Sequence, residues 1–114
     1  VKIRYSKEDE IGVEYFSPLS NFTKFDNDIL WDPNLKVQEK ILYAALASYC
    51  WDNGYCYPGQ KKLARQLGVS DRSIRNWLNG LIEYGLIEKV HRFGSSNLYY
   101  LKDPSKIYPD GEYF

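Results

Sequence analysis

The feature that most constrains the fold is a pair of short amphipathic segments separated by the break Gly68-Val69-Ser70. On either side of this break, apolar residues recur at the spacing of one helical face. Gly68 permits the positive backbone angle that ends one helix, and the Ser70 hydroxyl can cap the next. The pattern predicts a helix-turn-helix, whose corner holds its second helix clear of the body. The apolar positions are Leu63, Ala64 and Leu67 before the break, and Ile74, Trp77, Leu78 and Leu81 after it.

Three helices are predicted in all. Asp32-Pro33-Asn34 indicates the start of the first, because proline is tolerated in a first turn and Asp or Asn can cap it. The second runs from about Gly59 to Leu67, and the third runs from Asp71 to Tyr84, where Gly85 ends it. The apolar stripe of the first helix comprises Leu35, Leu42, Ala45, Leu46 and Tyr49, with Ile41 beside it.

Short strands surround the second and third helices. Tyr55-Cys56-Tyr57 is typical of a strand that stops at Pro58. Leu86 to Arg92 and Asn97 to Leu101 flank the turn Phe93-Gly94-Ser95-Ser96, whose glycine and serines suit a hairpin. The sequence therefore predicts an α+β fold, a winged helix-turn-helix of three helices plus a β-hairpin wing.

The chain length bounds the domain organisation. At 114 residues the chain supports one compact domain with short extensions. We assign residues 1–31 to an extended N-terminal arm with room for a short strand, 32–101 to the winged-helix domain, and 102–114 to an irregular C-terminal tail. Both extensions are rich in aromatic residues and carry little net positive charge. We expect them to cover the domain, or to join a second copy or a replication protein, rather than to touch DNA.

Positive charge is concentrated on the helix-turn-helix. The net charge of the whole chain is zero, which by itself argues against a nucleic-acid binder. From Gln60 to Arg92, however, seven Lys and Arg stand against three Asp and Glu. Because phosphate contacts need only a local excess of cations, this distribution favours double-stranded DNA as the partner of the motif.

Several other classes of function are disfavoured. Cys50 and Cys56 are six positions apart, and the one His of the chain is distant, which makes a poor set of zinc ligands. We therefore interpret the two cysteines as small buried core residues rather than as a disulfide or a metal site. The carboxylates form no catalytic constellation and no glycine-rich phosphate loop is present, so we predict neither an enzyme nor a cofactor. No apolar run is long enough to cross a membrane, and we expect a cytoplasmic location.

A known group of proteins shares this sequence pattern. FTKFDNDILWDPNL leads into KVQEKILYAALASYC, then NGYCYPGQKKLARQLGVSDRSIRNWLNGLIEYGLIEKV and a closing NLYYL. The stretch resembles the helix-turn-helix domains of phage replisome organisers, plasmid replication initiators and DnaD-like primosome proteins. Its most specific parts are Tyr57-Pro58-Gly59-Gln60, Leu63-Ala64 and Gly85-Leu86-Ile87. Those families often carry a Ser cap where this chain has Gly59, which should loosen the start of the second helix.

The third helix carries the predicted reading residues. Arg72, Asn76 and Asn79 are opposite its buried stripe, with Ser73 and Arg75 on the shoulders and Ser70 at the cap. Arg can bond guanine O6 and N7, and Asn can pair with the adenine edge. An ordinary solvated helix face is the alternative interpretation. Trp77 is expected in the core.

Further cations are expected to anchor the DNA backbone. Lys61 and Arg65 are one turn apart on the outward face of the second helix, and Lys62 flanks them. Lys89 and Arg92, on the outgoing strand of the wing, are candidates for a flanking phosphate or the minor groove. For each of these residues a solubilising surface position is the alternative, and His91 is interpreted as a surface histidine.

These observations lead to one function and two alternatives. We predict sequence-specific binding of double-stranded DNA by the third helix in the major groove, in plasmid or phage replication initiation. The first alternative is a protein-interaction winged helix that assembles a primosome or an oligomer through the aromatic arms. The second is a transcriptional regulator.

Overall fold

The fold is seen in a computed structural model that describes residues 22–50 and 53–109. In chain order the helices are α1 (Asn27–Trp31), α2 (Val37–Cys50), α3 (Gln60–Leu67) and α4 (Asp71–Tyr84). The strands are β1 (Tyr55–Cys56), β2 (Ile87–Val90) and β3 (Leu98–Leu101), and a turn of 3-10 helix follows at Pro104–Lys106. The predicted α+β class is confirmed. Within the described residues there are four α-helices, so the prediction of three was wrong.

The local chemistry of α3 and α4 agrees with the sequence. α4 has the predicted bounds, and the Ser70 hydroxyl accepts a hydrogen bond from the Ser73 amide at 3.1 Å. Gly68 and Gly85 end α3 and α4 with φ of 74° and 88°, a conformation that costs glycine little. Gly59 precedes α3 without a side-chain cap, as its lack of a hydroxyl requires.

The structure corrects the beginning of the domain. The predicted extended arm is wrong at Asn27–Trp31, where the Asp26 carboxylate caps α1 and Ile29 is completely buried. Residues 1–21 of the predicted arm lie outside the described residues. The predicted helix start at Asp32-Pro33-Asn34 is also wrong, because the Asp32 side chain turns back to its own loop and into the domain. α2 begins at Val37, where Glu39 accepts a hydrogen bond from the Lys36 amide at 3.0 Å.

The core lies between α2, α4 and one face of the sheet. The predicted stripe of α4 is buried at Ile74, Leu78 and Leu81, and Trp77 packs against the core from a half-buried position. The apolar stripe predicted for the first helix corresponds to α2, with Leu35 in the loop before it. Leu35, Leu42 and Leu46 are buried, and Ala45 and Tyr49 are partly buried. Ile41 is half exposed, whereas Tyr43 is buried, and burial raises its pKa to about 12.

The sheet is antiparallel in the order β1-β3-β2. β2 and β3 form the predicted hairpin; β2 is shorter than expected at both ends, and β3 is shorter by one residue at its start. The pairing aligns Cys56 with Tyr99 and Tyr99 with Lys89 on the inner face. Since side chains alternate along a strand, the next row across the sheet belongs to the outer face. That row contains Tyr55, Tyr100 and Glu88.

The cysteines and Tyr108 of the tail belong to the core. Cys50 and Cys56 are buried as predicted, and burial raises the pKa of each thiol, which keeps them protonated at neutral pH. The predicted irregular tail forms a helical turn at Pro104–Lys106, and Tyr108 is buried against the domain. Among the helices in the described ranges, none has the length and apolar character needed to cross a membrane.

Candidate nucleic-acid interface

α4 presents a polar face on the side away from the core. Arg72, Asn76 and Asn79 are all exposed, and their spacing of four and three residues aligns them along the helix. Burial of Ile74 and Leu78 on the opposite face holds the helix in this rotation. The helix therefore offers a row of hydrogen-bonding side chains of the types that recognise guanine and adenine edges.

The first turn of α4 contains an internal network. The Ser70 hydroxyl donates to the Ser73 hydroxyl at 3.0 Å while it accepts from the Ser73 amide. Ser70 and Ser73 are thus engaged in capping the helix. Asp71 lies in the same turn, where its negative charge suits the helix N-terminus.

Lys61 and Asp71 connect the two helices of the motif. The Lys61 ammonium is 3.5 Å from the Asp71 carboxylate, and the Lys61 side chain is 88% exposed. Such an exposed ion pair contributes about 0–1 kcal/mol, so it does not prevent Lys61 from turning to a phosphate. It does place an acid beside Lys61, in the first turn of α4. A carboxylate at this position repels any phosphate that comes close to Lys61.

A cleft of about 420 Å³ separates the helix-turn-helix from the turn of the hairpin. Lys61 and Asp71 line it on one side together with Arg75, which projects from α4 towards the hairpin. The opposite wall is the polar turn, and the Gln60 amide and the Tyr99 hydroxyl are 3.4 Å apart at its inner end. The tertiary fold thus brings the predicted residues Lys61 and Arg75 close to the turn of the hairpin. The polar residues lining the cleft that sequence reasoning missed are Gln60 on α3 and Ser95, Ser96 and Asn97 in the hairpin turn.

The other predicted cations divide among three places. Arg65 is exposed one turn after Lys61. Lys62 turns towards α2, where its ammonium is 5.2 Å from the centre of the Tyr49 ring, and the Tyr49 hydroxyl bonds Gln66. Lys89 is exposed and aligned with Tyr99 on the inner face of the sheet. The predicted basic set is therefore not one continuous surface.

Arg92 has a role within the hairpin that the sequence pattern did not show. Its Nε donates to the Ser96 carbonyl at 2.7 Å, which closes the turn, and its guanidinium is 5.2 Å from the centre of the Tyr57 ring. The neighbouring His91 is exposed, as predicted for a surface histidine. Its Nδ1 is 3.2 Å from the Asn97 side-chain oxygen, and its ring meets the almost fully exposed Phe93 edge-on.

Comparison with known proteins supports the helix-turn-helix. The sequence model of a helix-turn-helix domain family matches residues 34–87, from the loop before α2 to the first residue of β2. No curated protein matches the chain significantly. The family match supports a helix-turn-helix domain and, with it, DNA binding in general.

Proposed function

We propose that the chain binds double-stranded DNA in a sequence-specific manner, with α4 in the major groove. The observation that carries this proposal is the exposed row of Arg72, Asn76 and Asn79, beside the cleft that holds Arg75. A helix-turn-helix reads bases with the N-terminal part of its second helix. Arg72, Arg75 and Asn76 occupy that part of α4, and Asn79 extends the row by about one turn.

Backbone contacts are assigned to the elements on either side of α4. Lys61 and Arg65 on α3 are placed to meet phosphates along one strand, and the turn of the hairpin bounds the other side of the cleft. Lys89 extends the positive charge along the inner face of the sheet. Lys62 and Arg92, which lie against tyrosine rings, are assigned smaller contributions to duplex binding.

The setting that we propose is replication initiation in a plasmid or phage. Its support is the resemblance of Phe22 to Leu101 to the helix-turn-helix domains of replisome organisers and replication initiators. The proposal assigns the chain no chemical reaction of its own. A transcriptional regulator that uses the same surface is the alternative within DNA binding, and the position of the preferred site in a replicon or before a gene separates the two.

A protein-interaction role is favoured by a different observation. Trp31, Val37 and Ile41 are 51–69% exposed, and Val37 and Ile41 are one turn apart on α2. Large apolar side chains on an exposed helix face are typical of a docking surface for another protein. This second candidate predicts that the chain joins a partner or a second copy through α1 and α2.

The proposed function is tested by selection of a preferred duplex from a random pool, followed by titration of that duplex and a random one. Arg75→Ala or Asn76→Ala should weaken binding to the preferred site by about 1–3 kcal/mol, with a much smaller effect on random DNA. Lys36→Ala, which removes a cation at the start of α2, is the matched control and should change neither affinity appreciably. Equal losses on both duplexes would reassign the residue to phosphate contact. No loss for any exposed polar residue of α4 would refute the reading role of this helix.

A further inference from the structure

The outer face of the sheet carries exposed tyrosines that the duplex-binding surface does not use. Tyr55 on β1 and Tyr100 on β3 are paired across the strands, with ring centroids 5.7 Å apart, and each is more than one-third exposed. Tyr57 follows β1 and is 59% exposed. Because a folded protein normally keeps large aromatic surface covered, three exposed rings in one region indicate a binding function.

Cations lie beside these rings. The Arg92 guanidinium is 5.2 Å from the centre of the Tyr57 ring, and its bond to the Ser96 carbonyl holds it there. Lys62 and Tyr49 line a groove of about 320 Å³ whose walls also include Tyr55 and Tyr57. A groove of this size suits a small planar group. Among the strand residues of this face, Glu88 is negatively charged. It is aligned with Tyr100 and lies on β2, at the opposite edge of the sheet from β1.

We propose that this face binds single-stranded DNA. Unpaired bases stack on Tyr55, Tyr57 and Tyr100, while Arg92 and Lys62 neutralise phosphates along the β1 side. Aromatic rings accept any base on their faces, and flanking cations follow the backbone, a combination that distinguishes single-stranded from duplex binding. A duplex presents its bases only at groove edges and so cannot use the tyrosine rings.

The choice of DNA rather than RNA as the ligand rests on the proposed function, whereas the stacking face rests on the geometry of the sheet. The two sites also occupy different parts of the molecule. The reading row is on α4, while the tyrosines are on the sheet face turned away from Tyr99 and the core. Loss of one activity with retention of the other is therefore the expected behaviour of variants in either site.

The test uses the full chain and a labelled oligothymidine of about 12 nucleotides, titrated by fluorescence anisotropy. Tyr57→Ala should weaken binding by about five- to 100-fold, because one stacked base is lost. Tyr57→Phe should stay within about twofold, since the ring is kept. Phe22→Ala is the matched control: Phe22 is 51% exposed, similar to Tyr57 in exposure, but it lies before α1 and outside the sheet, and its loss should have no effect.

Photocrosslinking gives a second measurement that does not require a variant to fold. An oligonucleotide with iodouracil in place of one thymine should crosslink to Tyr55, Tyr57 or Tyr100 in the unaltered chain. Duplex affinity should remain unchanged in Tyr57→Ala, whereas Arg75→Ala should lower duplex affinity and leave oligothymidine binding intact. This reciprocal pattern separates failure of the single-strand site from failure of the proposed duplex site.

Four outcomes would overturn the proposal. They are an unaltered chain that does not bind oligothymidine, equal losses for Tyr57→Ala and Tyr57→Phe, crosslinks confined to residues outside the outer face, and tighter Tyr57-dependent binding of oligouridine than of oligothymidine. A chain that self-associates in sedimentation, and that becomes monomeric in Tyr57→Ala without any binding of the oligonucleotide, would reassign the face to a second copy of the chain.

Discussion

The carboxylate of Asp32 accepts a hydrogen bond from the hydroxyl of Tyr108, with 2.7 Å between Oδ2 and Oη, across 76 positions of the sequence. The same oxygen accepts from the hydroxyl of Tyr84 at 2.5 Å, and Oδ1 accepts from the Asn34 amide. One buried carboxylate therefore joins the loop before α2, the end of α4 and the tail. Burial alone would raise the pKa of Asp32, but the hydrogen bonds from Tyr84, Tyr108 and Asn34 outweigh it and lower the pKa below its usual value.

This lowered pKa predicts a pH-dependent loss of stability. A carboxyl with a lower pKa in the folded chain stabilises the fold fully above its unfolded pKa, and loses that contribution as the pH falls through the folded pKa. Asp32→Asn should therefore cost about 1–3 kcal/mol of unfolding free energy at pH 7, and progressively less below about pH 4. Urea melts across this range measure the difference. Glu83→Gln, at an exposed carboxylate on α4, should show little cost at either pH; an Asp32→Asn deficit that is constant with pH would contradict the prediction.

A cavity substitution tests the core beneath the reading helix. Leu78 is 2% exposed, and the half-buried Leu67 packs against the same core at the end of α3. Leu78→Ala should lower the unfolding free energy by about 2–5 kcal/mol, because it removes packed methyl groups and leaves a cavity. Ile41→Ala, at a half-exposed aliphatic position on α2, should cost far less. A denaturant melt in which the Leu78 variant loses under about 1 kcal/mol would show that this face of α4 is not buried.

At Gly80 on α4, a steric clash should oppose the stabilisation that Gly→Ala usually gives a helix. A Cβ at this position would lie 1.9 Å from a carboxylate oxygen of Glu39, whose other oxygen caps the start of α2 at the Lys36 amide. In an isolated helix, Gly→Ala stabilises by about 1 kcal/mol. Here Gly80→Ala must displace the buried Glu39 and disturb that cap. When Glu39 has also been replaced by Ala, the change in unfolding free energy caused by Gly80→Ala should be at least about 1 kcal/mol more favourable, because the clash is absent there.

The double-mutant cycle for this pair is read from four denaturant melts: the unaltered chain, each single variant and the double variant. Gly59→Ala provides a comparison at the residue before α3, since its added Cβ would meet only the Ser96 hydroxyl, at 3.3 Å. Additive effects of the Gly80 and Glu39 substitutions would contradict the close contact between α2 and α4.

The cations of α3 predict the salt dependence of duplex binding. Lys61→Ala combined with Arg65→Ala should weaken binding to every duplex and flatten the plot of log affinity against log salt by about one to two units, because fewer counterions are released. Anisotropy titrations at several salt concentrations measure this slope. An unchanged slope would remove both residues from the backbone contacts.

Asp71 predicts the opposite effect at the same place. Asp71→Asn removes the acid that lies 3.5 Å from the Lys61 ammonium, so binding to any duplex should tighten by about twofold or more at low salt. Glu83→Gln also removes one negative charge from α4 but lies in its last turn, and should give a smaller gain. Equal gains for the two variants would mean that only net charge matters and that the pair with Lys61 has no local role.

Local chemistry was sufficient to predict much of the helix-turn-helix. The bounds of α4, the glycine stops at Gly68 and Gly85 and the cap at Ser70 depend on contacts within a few residues, which the sequence order itself supplies. The buried face of α4 follows equally from the spacing of its apolar residues, since a helix has a fixed period. The exposure of the candidate reading residues was a consequence of that same period.

Contacts between distant parts of the chain were decided only by the tertiary structure. Asp is a residue type that commonly caps helices. The partners of Asp32, however, are Tyr84 and Tyr108, which lie far along the sequence, and its side chain is buried with them in the domain. The sequence pattern indicates exposed cations at Lys62 and Arg92. In the fold, Lys62 lies against the Tyr49 ring and Arg92 against the Tyr57 ring. A periodic pattern determines which face of an element is apolar, whereas the neighbour met by each polar side chain depends on how the elements pack together.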